Sequence, residues 1–175
     1  MEKLGDALSL GAFLTPGIIV GAVSVFVAIA TFLIRSFQMQ RQERRQMTFQ
    51  LISRIFEPGP IADARVKMAR WIAQDVHITD DFMDDEEKDA VILSIIDFYE
   101  FTCEGAMRGV VDARLLNQES GGRMERAFFV VRGYIKAREE RLGSINEKNG
   151  LPKVKLYRHL RGFLSKYRGL RTELG

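Results

Sequence analysis

TPGIIVGAVSVFVAIATFLI, residues 15–34, carries no charged side chain, and its reading decides how the rest of the chain is organised. A bilayer core about 30 Å thick is crossed by about 20 helical residues rising 1.5 Å each. Thr15 and Pro16 suit the start of such a helix: the hydroxyl caps free backbone N–H groups, and proline has no N–H to leave unpaired in the first turn. Arg35 ends the run. A cleaved leader fits poorly, because Met1-Glu2-Lys3-Leu4-Gly5-Asp6 is net acidic and Ser36-Phe37-Gln38-Met39 is not a small-residue cleavage site. Buried helices of soluble domains seldom run this far without a charge. The stretch is therefore expected to be a single transmembrane helix over 15–34, after a short external N-terminus of residues 1–14.

The flanking charges set its direction. Arg35, Arg41, Arg44 and Arg45 follow the span closely, whereas Lys3 is offset by Glu2 and Asp6, so the bulk of the chain is expected in the cytoplasm. Residues 35–57 are rich in helix formers and lack a sustained apolar stripe, which predicts a basic helical neck continuing from the membrane until Glu57-Pro58-Gly59-Pro60 stops it. The net charge of +3 conceals a division into blocks: +4 over 35–56, −9 over 57–119 and +9 over 120–175. The basic neck is read as topogenic charge attracted to anionic lipid heads, not as a specific nucleic-acid contact. Cys103 is the one cysteine, so an internal disulfide is excluded, and its apolar surroundings make it a small core residue in a reducing compartment.

Residues 58–175 are sufficient for one core. A helix is expected over 60–74, with Ile61, Ala64, Met68, Trp71 and Ile72 on one face and Arg65 in its middle. The acidic run Asp80 to Glu87 lacks the alternating ligands and central glycine of a calcium loop, and reads as a helix start with Asp84 as N-cap and Glu87 closing a capping box. From Asp85 to Arg108, apolar residues cover well over half the circumference, so this helix must be packed on most sides. Its narrow polar stripe is Asp97, Glu100, Glu104 and Arg108. A short helix capped by Asp112 is expected to end at Asn117, with Gly121-Gly122 separating it from the next helix over 123–142, whose apolar face contains Arg138. The closing amphipath over 154–168 sets Leu156, Leu160 and Phe163 against a basic side of Arg158, Arg161, Lys166 and Arg168. No alternating stretch argues for a sheet. The expectation is an all-α protein with a compact helical bundle of about five helices behind the span and neck.

Arg65 and Arg138 cannot be buried alone, and Asp97, Glu100 and Glu104 are the carboxylates available on the central helix. This predicts an interior ion network of Arg65, Asp97, Glu100, Glu104 and Arg138 that fixes helix register. The alternative is a pocket for a small polar ligand with Tyr99 and Tyr134 nearby. A second expectation is contact of Arg35, Arg41, Arg44, Arg45, Arg158, Arg161, Lys166 and Arg168 with anionic lipid heads. His77 and His159 have no local partners for nucleophilic catalysis, no phosphate loop is spelled, and Glu-x-x-His pairs are absent. Catalytic, metal and cofactor sites are not expected.

The run Ile92-Leu93-Ser94-Ile95-Ile96-Asp97-Phe98-Tyr99-Glu100-Phe101, followed by Gly105-Ala106-Met107-Arg108-Gly109-Val110-Val111-Asp112 and Leu115-Leu116, resembles a bacterial membrane-anchored domain of unknown function, the one numbered 4760. Leu156-Tyr157-Arg158-His159-Leu160 is similar to that family's closing helix, so the likeness covers most of residues 50–170. The resemblance implies a fold and an anchor at the bacterial inner membrane, and no activity. The functional expectation is a membrane-tethered interaction or regulatory module whose partner is another protein or its own copy. The alternative is a membrane effector, of the phage-defence kind, that acts by assembling its spans; Gly17 and Gly21 have the spacing that lets helices approach closely. No specific nucleic acid or small-molecule substrate is identified.

Overall fold

The structure is a computed structural model that describes residues 16–152 and 155–169, with side chains from Val20 onward. Among the described residues it is all-helical. Six helices follow in order: α1 Pro16–Arg54, α2 Pro60–Ala73, α3 Glu86–Met107, α4 Ala113–Val130, α5 Arg132–Lys148 and α6 Arg158–Arg168, with a 3-10 turn at Asp80–Asp84 before α3. The chain divides into two compact units, Met1–Glu43 and Arg44–Gly175. The neck expected over 35–57 is therefore split, and the compact domain begins at Arg44 and not at residue 58.

In the first unit the apolar part of α1 is bare, with Val20, Phe26, Phe32 and Ile34 all more than half exposed. Its few polar groups are absorbed by the helix: the Ser24 and Thr31 hydroxyls donate to the Val20 and Val27 carbonyls at 2.8 and 2.7 Å. Helix α1 is long and apolar enough to cross a membrane by length and composition.

The second unit is organised around α3, which packs against α2, α4, α6 and the 3-10 turn. Ile92, Ile96 and Cys103 from α3 are fully buried with Met124 from α4, Ile135 from α5 and Leu160, Phe163 and Leu164 from α6. The end of α1 belongs to this unit and is tied to the start of α4 by Thr48. Its buried hydroxyl donates to the Arg44 carbonyl at 2.6 Å and accepts from the Asp112 N–H at 2.9 Å.

Four boundaries differ from expectation, the simplest being the end of α5, which runs to Lys148 and not to Leu142. The 3-10 turn, anchored by buried Phe82, moves the start of α3 by one residue, so Asp85 and not Asp84 caps it by accepting from the Lys88 N–H. Asp84 instead pairs with Arg141 at 3.1 Å. Helix α4 runs straight through Gly121-Gly122, and the helix expected over 123–142 is divided at Val131 between α4 and α5. Gly121 is there for space: a Cβ would collide with the Asn117 side chain and lie 3.5 Å from Arg168 Cδ. The closing helix starts at Arg158, four residues later than 154, because Tyr157 adopts a left-handed conformation with φ 55°. Residues 153–154 lie outside the described residues.

Candidate functional site

Between α2 and α4 lies an open groove of about 930 Å³. Arg65 and Arg70 reach it from α2, Arg123 and Arg126 from α4, and Glu119 is the lining carboxylate. Met68, Ile72 and Ala127 supply apolar wall, and Tyr99 enters from α3. The placement follows from helical spacing: 65 and 68–69 share a face with 72, as 119 and 122–123 do with 126. Arg65 and Arg123 both lie over Phe56, each guanidinium carbon 4.8 Å from the ring centroid, an attraction of cation and π face. Among the described residues none of these four arginines is ion-paired.

Tyr99 is only 4% exposed, and its hydroxyl makes no hydrogen bond among the described residues. Burial raises the hydroxyl above its ordinary pKa, against the opposing fields of Arg123 and Arg65. It is thus a proton donor at neutral pH, held beside two guanidinium groups. Four cations and one carboxylate around a partly apolar groove favour an anion that carries apolar surface.

The interior network takes a different form from the one expected. Arg138 turns to Asp89 and to the Tyr134 hydroxyl, both at 2.8 Å, and not to Glu100 or Glu104. Tyr134 also donates to Asp89, and burial followed by that bond drives its pKa up. Burial raises the Asp97 carboxyl as well, opposed by a hydrogen bond from Tyr157 and by the charge of Arg138. Glu104 pairs with Arg108 at 2.6 Å, one turn along its own helix. Glu100 caps α6: its two oxygens accept from the His159 and Leu160 N–H groups at 3.0 and 2.8 Å, and His159 Nδ1 lies 2.8 Å away. The unpaired N–H groups and positive dipole end of α6 claim the carboxylate that sequence reasoning assigned to arginine.

The residues expected to meet lipid are also divided. Arg35, Arg41, Arg44, Arg158 and Lys166 are exposed. Arg45 lies 3.7 Å from Asp112, and Arg168 is 2.5 Å from Glu125. Arg161 turns into the domain and pairs with Glu139 at 2.9 Å, with both side chains less than a fifth exposed, so α6 lacks the continuous basic face that its sequence suggested. The unpaired arginines of α4, Arg123 and Arg126, were missed in the sequence because the groove they line is made by two separate helices.

No curated protein sequence matches the chain. No solved structure matches it either. The family model described as a domain of unknown function (DUF4760) matches residues 18–165, nearly all of the apolar helix and the helical domain together, and on that coverage the chain belongs to this family.

Proposed function

We propose that the protein is a single-pass module of the bacterial inner membrane, with its N-terminus outside and its helical domain in the cytoplasm as a binding unit. The observation that carries this reading is the bare apolar surface of α1, which has no charge from Pro16 to Ile34 and exposed arginines at 35 and 41. Exposed Phe26 and Phe32 are costly in water and favourable in lipid, by about 1.5–3 kcal/mol for each such side chain. The role assigned to the domain is binding and not catalysis. Its partner is a protein or ligand presented at the membrane, and the α2/α4 groove is the surface assigned to it.

Fractionation of cells expressing the full chain tests the anchor. Retention in the membrane pellet after an alkaline carbonate wash is expected, and release into the supernatant would overturn the reading. Protease added outside spheroplasts is expected to leave residues 44–175 intact. A second reading, a membrane effector, is favoured by the free flank of Gly21, where a Cβ would meet nothing within 4 Å. A membrane-potential dye separates the two, since an effector depolarises cells when induced and a tethered module does not.

A further inference from the structure

We propose that the α2/α4 groove binds a phosphate ester with an apolar body, its phosphate held by Arg65, Arg123 and the Tyr99 hydroxyl and its body lying along Met68, Ile72 and Ala127. The proposal rests on the reading of the domain as a binding module and gives that module its ligand class. It does not depend on whether α1 crosses a bilayer, which carbonate fractionation decides separately.

Three independent features meet here. The first is charge: four arginines and one carboxylate line a single groove, and none of the four is neutralised by an ion pair among the described residues. Elsewhere in the domain Arg138 finds Asp89, Arg161 finds Glu139 and Arg168 finds Glu125, while the arginines without an ion pair, such as Arg54, Arg114 and Arg158, are exposed. What sets the groove apart is that four such arginines share one lining with a single carboxylate, where like charges repel and an anion relieves them. The second is Tyr99, whose side chain is almost wholly buried while its hydroxyl remains without a protein partner. The ring is packed while the hydroxyl keeps access to solvent, so it is free to donate to an occupant of the groove that its residue lines.

The third is geometry. Phe56 holds the Arg65 and Arg123 guanidinium groups at the same distance from its ring, so their donors are positioned before a ligand arrives. Planar forks of this kind suit phosphate and carboxylate oxygens. The volume of about 930 Å³ exceeds what a lone phosphate would fill and has the size of an organic ligand site. The apolar wall calls for a body that loses water on binding.

Phosphate esters that also carry apolar surface come from two sources, nucleotides through the faces of the base and phospholipids through their acyl chains. Both are tested on the full chain in neutral detergent micelles by titration calorimetry, with adenosine triphosphate and dihexanoyl phosphatidylglycerol as probes. Inorganic phosphate, dihexanoyl phosphatidylcholine and a hexaglutamate peptide serve as comparisons. One of the two anionic esters is expected to bind saturably with Kd below about 1 mM. Replacing Arg65→Gln and Arg123→Gln together is expected to weaken it more than about tenfold. Tyr99→Phe, which removes one oxygen and keeps the ring packing, is expected to weaken it about threefold. If the double variant fails to fold by circular dichroism, Tyr99→Phe and Arg126→Gln decide. Equal affinity in the variants, no ester binding below about 1 mM, or equal affinity for inorganic phosphate would each overturn the proposal. So would binding of hexaglutamate alone, which would assign the groove to an acidic protein segment.

Discussion

Glu100 shows how one carboxylate settles between competing partners. An arginine offers a fork, but the start of α6 offers two free N–H groups, a dipole and the His159 ring, and Glu100 takes those. Glu100→Ala is therefore expected to cost about 1–2 kcal/mol in urea unfolding, the loss of a helix cap. Glu104→Ala is expected to cost less than about 0.5 kcal/mol, because its partner Arg108 is 71% exposed and the pair is a surface one. Had the expected arginine network formed, the two substitutions would have had similar effects. Cys103 behaves as its apolar neighbours in the sequence suggested: it is fully buried against Met124, and burial raises its thiol pKa above the usual range. Iodoacetamide is expected to leave it unmodified in the folded protein and to label it in urea, and labelling at equal rates would contradict the packing. Apolar burial was legible residue by residue, since it follows from composition. Polar partners were not, since Glu100 and His159 are 59 positions apart and nothing local in either segment announces the other.

At the scale of elements, α2 and α3 were readable because proline, acidic first turns and helical spacing of apolar residues all agree there. Helix α4 was misread because a glycine pair has two uses, to end a helix or to let something approach. Gly121 serves approach. At Gly122 a Cβ would find only an Arg168 nitrogen at 4.0 Å, so Gly122→Ala is expected to stabilise by up to about 1 kcal/mol through helix propensity. Gly121→Ala is expected to gain less, since Asn117 must move, and comparing the two variants' urea midpoints checks the assignment. The link from α1 to α4 was not legible either, for Thr48 sits in a polar stretch and its partner is a backbone N–H. Thr48→Val keeps the shape and leaves the Asp112 N–H without its bond. A loss of about 1–3 kcal/mol is expected, and Thr48→Ser is expected to recover most of it.

For the molecule as a whole, the all-helical architecture and the long apolar helix were legible because both rest on patterns summed over many residues. The groove was not, since four arginines spread over 65–126 come to line one groove only when α2 and α4 both pack on α3. The exposed charges after the span set the proposed orientation, so Arg35→Gln with Arg41→Gln is expected to reduce the fraction of chains whose C-terminal reporter lies in the cytoplasm. An unchanged fraction would show that Arg44 and Arg45 suffice. The capping of α6 by Glu100 also fixes an order in time. At a synthesis rate of about 5–20 residues per second, the ribosome makes His159 roughly 3–12 s after Glu100. During that interval the face of α3 destined for Leu160, Phe163 and Leu164 has no cover, and the nascent chain holds it open while α1 already seeks its own surroundings. Translation speed between the codons for α3 and α6 therefore governs how long a newborn chain is exposed to chaperones and to its neighbours.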